Sequence, residues 1–470
     1  MPTGTALVTG LLDTSSMKSL PLRIVPLLGA MALFIPAGLA AADPAHPDEI
    51  DRAIAENYPS LEVFYKDLHS HPELSLMEEK TSAKLAAELR SAGFAVTERF
   101  GGFGIVGVLA NGPGPTILVR TDMDALPVEE QTGLPYASTV RTKNLSGQMV
   151  GVMHACGHDI HMTVMVGAAR LLAKEKARWS GTLVLIGQPA EEMGVGARAM
   201  LREGLFRRFP KPDYAVALHD SANLPAGTLG LVEGYAMASV DTVTIKVRGV
   251  GGHGAYPHLT KDPIVLAARI ILSLQTIVSR ETSPIHPAVV TVGSIHGGTR
   301  PNIIPDAVDL ELTLRSYSED VRAHTIEAIR RICRGEAIAA GLPDDLMPEV
   351  KVLEDEYTPA TYNDPALTRR VRQALIGRFG AGRVRTIDPE MGGEDFSEYG
   401  RTVEHVPLCM FRIGAVVPEK WAESQRTGVA LPSLHSSRFA PLPEPTIETG
   451  VAAMSTVVLD LMRGNPPSPP

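Results

Sequence analysis

Three short apolar runs, each followed at once by polar residues, constrain the fold of this chain more than any other feature. They span residues 116–119, 182–186 and 214–218 and are rich in β-forming residues. Apolar runs of this length are typical of strands buried on both faces of a largely parallel sheet. A helical pattern over 78–92, closed by Gly93, lies among these strand signals. The alternation predicts an α/β fold with polar side chains gathered at the carboxyl ends of its strands.

The pattern changes near residue 239. Residues 240–247 alternate between polar and apolar, as in a strand with one solvent-exposed face. Five further elements follow: a helix over 263–280, strands over 288–295 and 308–315, a helix over 318–339, and a strand over 349–354. This order predicts a four-stranded sheet with two helices on one face, inserted into the first domain. We therefore expect a discontinuous domain of residues 43–238 and 356–464, interrupted by a domain of residues 239–355.

The N-terminus has the pattern of a secretory signal peptide. A positively charged start at Met17-Lys18 precedes an apolar stretch over 24–39, and an Ala-Ala-Ala end comes just before Asp43. We expect residues 1–42 to be removed, with Met17 as the true start, and the protein to be periplasmic or secreted. An uncleaved membrane anchor is the alternative. No other stretch approaches about 20 apolar residues, so no membrane contact of the mature form is expected. The Pro-rich tail, 465–470, is expected to be disordered.

Charge and cysteine content exclude two classes. The formal net charge is -9, from 44 basic and 53 acidic residues, which provides no basic surface for nucleic acid. Three cysteines, Cys156, Cys333 and Cys409, are too few and too scattered for a disulfide framework, and their odd number leaves at least one free thiol.

Several polar clusters carry chemistry. They are Asp122 with Asp124, the Cys156-Gly-His158 turn, the Glu191-Glu192 pair, His219-Asp220, and a lone His435 near the C-terminus. Thiolate, imidazole and carboxylate form a mixed ligand set that suits zinc, manganese or cobalt. An adjacent pair of glutamates can divide the work, one binding metal while the other takes a proton from an activated water. Each cluster alone is ambiguous, because a Glu-Glu pair is often a solvated loop and a lone histidine is often structural. Their joint placement after successive strands favours a metal site without deciding it.

Seven motifs occur in order along the chain. They are Arg-Thr-Asp-Met-Asp-Ala-Leu-Pro (120–127), His-Ala-Cys-Gly-His-Asp (154–159), Gln-Pro-Ala-Glu-Glu (188–192), Gly-Gly-His-Gly-Ala-Tyr-Pro-His (251–258), Arg-Pro-Asn-Ile-Ile-Pro (300–305), Gly-Gly-Glu-Asp-Phe (392–396) and Leu-His-Ser (434–436). Over about residues 50–460 the chain resembles the dinuclear metallopeptidase family of aminoacylases, hippurate hydrolases and plant auxin-conjugate amidohydrolases. The resemblance implies a zinc-peptidase-like catalytic domain and an inserted ferredoxin-like lid that mediates homodimerisation.

The resemblance also implies roles for individual residues. The implied metal ligands are Cys156, His158, Glu192, His219 and His435, and they would hold two divalent ions of undecided identity (Zn, Mn, Co or Ni). Glu191 would be the general base and later the proton donor, and Asp124 the carboxylate that orients a ligating group. In the lid, His253 would reach a catalytic centre, in its own subunit or in the partner's. Asn302 would contact substrate, and Arg300 would bind the substrate carboxylate.

One position places the chain within a branch of this family. Carboxypeptidase-like relatives have Asp where this chain has Cys156, so the group between the ions would be the thiolate or a water. His154 and His161 are expected to be structural or to support the ligands. The expected activity is hydrolysis of the amide bond of N-acyl amino acids or small peptides with a free carboxylate. A catalytically inactive binding protein for amino-acid conjugates is the alternative, but such a protein would have no need of a base at Glu191. A structural zinc domain is disfavoured because paired Cys-x-x-Cys spacings are absent from the sequence.

Overall fold

The computed structural model describes residues 49–463, so the predicted signal peptide and the tail from 465 lie outside the described residues. Its strands are β1 (Ala95–Thr97), β2 (Ile105–Asn111), β3 (Thr116–Asp122), β4 (Arg141–Lys143), β5 (Met149–Gly151), β6 (Gly181–Gln188), β7 (Tyr214–Pro225), β8 (Leu229–Leu231), β9 (Gly234–Met237), β10 (Ser239–Arg248), β11 (Gly252–His253), β12 (Ala288–His296), β13 (Ile303–Ile304), β14 (Ala307–Ser316), β15 (Glu349–Val352), β16 (Thr361–Asn363), β17 (Val384–Thr386) and β18 (Leu408–Val416). Eight of them form the central sheet, in the order β1-β2-β6-β3-β7-β18-β8-β17.

Ten α-helices surround the sheets in the described part of the chain. They are α1 (Glu49–Ser70), α2 (Glu79–Ser91), α3 (His158–Lys174), α4 (Gly196–Arg202), α5 (Leu205–Arg208), α6 (Pro263–Thr276), α7 (Glu319–Ala339), α8 (Pro365–Phe379), α9 (Pro418–Thr427) and α10 (Pro443–Met462). The main hydrophobic core lies where α1, α3 and α10 pack together against the central sheet. α3 is buried along most of its length, in keeping with its apolar sequence. The predicted α/β fold is therefore confirmed.

The three predicted core strands are neighbours in the central sheet. β3 runs parallel to both β6 and β7, so their carboxyl ends meet at one edge. β3 ends at Asp122, as the sequence predicts. β7 differs, because it continues through His219 and Asp220 to Pro225. β18 runs beside it in parallel and pairs with those two residues, so the backbone hydrogen bonds of the ladder continue past the end of the apolar run.

A separate four-stranded antiparallel sheet is formed by β12-β14-β10-β15. Buried residues alternate along β10 and β14, and their buried faces share a second core with α6 and α7. α7 begins where Ser318 accepts a hydrogen bond from the Val321 amide and caps the helix. These elements follow the order and periodicity expected from the sequence.

The helical stretch Pro263–Glu281 is longer and more apolar than expected from the sequence for any segment after the N-terminus. Of the described residues, Pro263–Glu281 is long and apolar enough to cross a membrane by length and composition, with a mean hydropathy of 1.4. The expectation that only the N-terminal stretch approaches that length is corrected. About a third of this stretch is buried, through residues such as Leu266, Ile270 and Leu274 against the second core. Its apolar composition therefore serves packing on one side and leaves apolar side chains exposed on the other.

Candidate metal centre

The five predicted ligands converge at the carboxyl edge of the central sheet. Cys156, His158 and His219 form one set whose ligand atoms lie within 4.8 Å of one another. Cys156, Glu192 and His435 form a second set of the same kind. Both sets contain the Cys156 sulfur, so these five residues would hold two divalent ions next to one another.

The distances between ligand atoms suit coordination. The Cys156 Sγ lies 3.2 Å from the His435 Nε2 and 3.5 Å from the His219 Nε2. The Glu192 Oε1 lies 3.5 Å from the His435 Nε2 and 3.8 Å from the His158 Nε2. Two ligands at roughly 2.0–2.3 Å from one ion are separated by similar distances in a tetrahedral site.

Hydrogen bonds orient two of the imidazoles for ligation. The Nδ1 of His158 lies 2.7 Å from the backbone oxygen of Asp124, and that of His219 lies 2.7 Å from the backbone oxygen of Asp220. Each Nδ1 therefore donates to a carbonyl, which leaves Nε2 free for a metal. Among the described residues, the buried His158 Nε2 and Glu192 Oε1 have no hydrogen-bond partner. Buried polar atoms of this kind call for a partner, and a metal ion at each set would provide it.

A third histidine at this edge has no free nitrogen. The His161 Nδ1 lies 2.7 Å from the Asp122 Oδ1, while its Nε2 accepts the Asp220 amide at 2.9 Å. His161 thus joins two strand ends and supports the centre, in line with the expected supporting role. Gly157, at the turn into α3, has φ +76°, and an added Cβ would lie 2.3 Å from the Asp220 Oδ2. Only glycine fits between the two ligands Cys156 and His158.

Glu191 lies beside the metal ligands, but it is a member of neither of the two ligand sets that contain Cys156. Its Oε2 is 3.9 Å from the His158 Nε2, and its side chain is about 10% exposed. Burial, followed by the charges of Glu394 and Glu192, raises the pKa of Glu191 well above its usual range. Burial raises the pKa of Glu192 to about 7. A carboxylate with a raised pKa holds a proton more readily, which is the property a general base requires.

A buried ionic cluster next to Glu191 was not predicted from the sequence. The Arg120 guanidinium donates to Asp122 at 2.6 Å, to Glu394 at 2.8 Å and to Asp395 at 3.3 Å. All four side chains are at most 1% exposed. The arginine ties the end of β3 to the 392–396 motif. Both segments carry motifs noted in the sequence, but their pairing across 274 positions requires the tertiary fold.

Two buried carboxyl groups hold the loop that carries Glu191. Asp124 accepts the amides of Glu191 and Glu192, each at 3.1 Å. The Glu78 Oε1 accepts the preceding amide, that of Ala190, at 2.8 Å. The backbone N–H groups of three successive residues, 190–192, therefore all donate to buried carboxylates. Asp124 thus orients the backbone of Glu191 and Glu192, and Glu78, which was not predicted from the sequence, orients that of Ala190.

Glu78 also stabilises unusual backbone. Its Oε1 accepts from the Leu76 amide at 2.9 Å as well as from Ala190. Leu76 has φ 65° and Ala190 has φ 49°, values that non-glycine residues rarely adopt. His435 is a third such residue, with φ 66°. Left-handed backbone therefore recurs where the base and a ligand are positioned, as is common at functional sites.

Replacing Glu78 by Ala is expected to lower kcat by about 10–100-fold, the usual effect of losing a group that supports a metal centre. The change leaves two strained amides without their acceptor and loosens the loop before Glu191. Glu78→Gln keeps an acceptor oxygen and is expected to retain most activity. Glu79→Ala is the control, because Glu79 pairs with Arg99 on the surface. Steady-state kinetics with metal analysis would check this, and equal losses in the Gln and Ala variants would contradict it.

The three predicted lid residues lie apart from the metal centre. His253, Asn302 and Arg300 are exposed, and none is among the described residues that line the cleft beside the ligands. His253 pairs with Ile303 in a short two-stranded sheet. None of the glycines at 251, 252 and 254 has positive φ. They are needed for close approach instead: an added Cβ at Gly251 would lie 2.7 Å from the Ile304 carbonyl oxygen.

The cleft beside the ligands has a volume of about 600 Å³ and lies between the central sheet and the smaller sheet. Arg315, from β14, lines the cleft. Its guanidinium has no hydrogen bond or ion pair with any described residue, 49–463. Burial lowers the pKa of Arg315. Arg412, from β18, lines the same cleft but pairs with Glu390 at 2.6 Å. Among the described residues that line the cleft, Arg315 is thus the arginine without a hydrogen-bond or ion-pair partner, whereas the predicted carboxylate binder, Arg300, is exposed and does not line the cleft.

The chain is similar to known proteins along most of its length. A family model described as Peptidase family M20/M25/M40 matches residues 118–435. Thermostable carboxypeptidase 1 of Saccharolobus solfataricus is 36% identical over 392 residues, covering 83% of this chain and 92% of the relative. N-acetyldiaminopimelate deacetylase of Leuconostoc citreum is 38% identical over 363 residues, covering 76% and 89%. The crystal structure of Bacillus subtilis YXEP protein, described as a dinuclear metal binding peptidase, has a TM-score of 0.71 and 29% identity and covers 87% of this chain and 99% of its own.

Proposed function

Because the chain belongs to peptidase family M20/M25/M40 and is a metal-dependent hydrolase, we propose that it hydrolyses the amide bond of N-acyl amino acids or small peptides that have a free carboxylate. The observation that carries the proposal is Arg315, a half-buried and unpaired cation in the cleft that also contains Glu191 and the ligands. A substrate carboxylate would supply the missing anion. The names of the relatives, a carboxypeptidase and an N-acetyl amino acid deacetylase, support the same class of substrate.

The side chains of the cleft divide the reaction between them. Two divalent ions held by the two ligand sets would polarise the amide carbonyl and activate a water. Glu191 takes one proton from that water as the water oxygen attacks the carbonyl carbon. Glu191 then delivers the proton to the nitrogen as the C–N bond breaks, which releases a carboxylic acid and an amine. Asp124 and Glu78 keep the Glu191 backbone in place, and Arg315 holds the carboxylate of the leaving amino acid.

The test compares N-acetyl-L-methionine with N-acetyl-L-methionine amide, which lacks the free carboxylate. We expect the acid to be the better substrate, and Arg315→Met to lower kcat/KM for the acid by about 10–100-fold, the value of a charge-assisted hydrogen bond. The amide should be affected little. Arg300→Met is the matched control, because it removes an exposed arginine outside the cleft. Equal effects of both variants, or no preference for the acid, would contradict the role of Arg315.

We propose further that residues 239–355 act as a lid and join two copies into a homodimer. β12 is an edge strand of the smaller sheet. Beside it in sequence, the stretch from α6 exposes apolar side chains, including Val265 at 58% and Leu272 at 72%. An open strand edge and an exposed apolar helix invite pairing with a second copy. Such a dimer would bring the lid of one subunit towards the cleft of the other, where His253 and Asn302 are needed.

We propose export as well, with the mature protein in the periplasm or secreted. When the full chain is expressed in a bacterial host, the exported fraction is expected to begin at or near Asp43, after the Ala40-Ala41-Ala42 end of the predicted signal peptide. N-terminal sequencing of the periplasmic and medium fractions checks this. Ala42→Tyr is the control, because cleavage requires a small residue there, and this variant should keep its leader. An exported protein that retains residues 30–42 would show that the segment is an anchor.

A further inference from the structure

An apolar groove of about 360 Å³ lies beside the metal centre and is lined in part by the ligand Glu192. Its apolar walls include Leu74, Met77, Leu126, Leu145 and Met193. We call this cavity the side groove. It shares Glu192 and Met193 with the catalytic cleft, so the two cavities meet at a metal ligand. A molecule bound over the metal centre can therefore extend from one cavity into the other.

The two cavities differ in charge. Among the described residues that line the side groove, Glu192 is the only charged one, and none is a cation. The catalytic cleft contains the unpaired Arg315. The cleft therefore provides a cationic side chain for a substrate carboxylate, whereas the side groove provides none. With the carboxylate at Arg315 and the scissile amide at Glu191, the acyl end of the substrate is the part left to enter the side groove.

The mouth of the side groove exposes large apolar side chains. Leu145 is 63% exposed and Met193 is 43% exposed. Leu145 lies in the loop between β4 and β5, away from the main core, and Met193 directly follows the ligand Glu192. Exposed apolar surface that continues into a catalytic site is typical of a ligand groove rather than of a solvated face.

The walls of the side groove are fixed by the segments that build the metal centre. Leu74 and Ala125 lie in a small hydrophobic cluster with Val152 below the groove. The Ala125 amide donates to the Glu73 carbonyl at 2.8 Å, which ties together two of the wall segments. Ala125 follows Asp124, and Met77 precedes Glu78. The groove therefore has a defined position relative to Glu191, as specificity for a substrate group requires.

We propose that the side groove binds the apolar acyl group of the substrate, so that the enzyme prefers N-acyl amino acids with acyl chains longer than acetyl. This inference rests on the proposed amidohydrolase function. Burial of one methylene group stabilises a complex enough to change kcat/KM by about fourfold. The preference should therefore rise along a series of linear acyl chains until the groove is filled.

The experiment measures kcat/KM for N-acetyl-, N-butyryl-, N-hexanoyl- and N-octanoyl-L-methionine with the metal-loaded full protein. We expect an increase of about fourfold per methylene over the first part of the series. Leu145→Asn should lower the octanoyl-to-acetyl ratio by about 10-fold, because it makes one wall polar. Val403→Asn is the matched control: Val403 is 89% exposed and lines neither cavity.

The outcomes separate the two proposals. Turnover of the acetyl substrate with flat or falling values along the series would overturn the side groove assignment and leave the amidohydrolase proposal intact. An equal change of the ratio in Leu145→Asn and Val403→Asn would also overturn it. If no member of the series is hydrolysed, the proposed function itself fails, and the inference fails with it.

Discussion

Replacing Glu191 by Gln is expected to reduce kcat by about 10²–10⁴-fold or more while both metal ions stay bound. The amide of glutamine is nearly the same size as the carboxylate, so packing and the backbone bonds to Asp124 should persist. What is lost is the ability to take a proton from water and return it to the leaving nitrogen. The Glu191 carboxylate of the native protein would hold the proton between the two transfers, which the amide of glutamine would not do.

Glu192→Gln is the informative contrast. Glu192 is one residue away and belongs to the second ligand set, so its variant should lose metal as well as activity. Metal analysis after extensive dialysis, combined with steady-state kinetics, distinguishes the two. Loss of metal from Glu191→Gln, with retention by Glu192→Gln, would show that the roles of the two glutamates are reversed.

Replacing His253 by Ala is expected to lower kcat by about 10²–10³-fold without changing metal content, the usual cost of removing a hydrogen-bond donor to a developing oxyanion. The His253 Nδ1 accepts the Ala255 amide at 3.1 Å, so the ring proton lies on Nε2 and can be donated to the carbonyl oxygen of a substrate. His258→Ala is the control, because His258 is an exposed histidine of the same loop. A similar loss in both variants would point to a disturbed loop.

Mixing His253→Ala protomers with Glu191→Gln protomers tests whether His253 acts in the partner's cleft. Random exchange makes half of the dimers hybrids, and one of the two sites in each hybrid has both groups intact. Activity should therefore recover to about a quarter of the native value. No recovery despite demonstrated subunit exchange would show that His253 serves its own subunit or none.

The local part of the metal centre could be predicted from the sequence because its ligands lie close together in short motifs. Cys156 and His158 flank a glycine. Glu192 lies shortly after β6 and His219 lies in β7, and both of these strands pair with β3 in the central sheet. His435 is different, because 279 positions separate it from Cys156 and only the family resemblance identified it. Its left-handed backbone, which positions the ring, has no signature in the residues around it.

The remaining features depend on tertiary contacts that no local pattern carries. Arg315 lies in an alternating strand, and only the packing of the smaller sheet beside the cleft distinguishes it from a solvated arginine. Glu78 opens a polar helical stretch, where a glutamate is usually exposed, yet here it is 0% exposed. The continuation of β7 through His219 is set by β18, about 190 positions away. Strand propensity is overruled by pairing in such cases.

A metal titration tests whether this chain is a two-metal hydrolase of N-acyl amino acids. Metal-free protein would be titrated with Mn²⁺, and separately with Zn²⁺, while bound metal and release of methionine from N-acetyl- and N-octanoyl-L-methionine are measured together. We expect two ions to bind per subunit and methionine release to reach its plateau when the second site fills. Two bound ions with no release of methionine from either substrate would contradict it, and so would hydrolysis that proceeds unchanged in the metal-free protein.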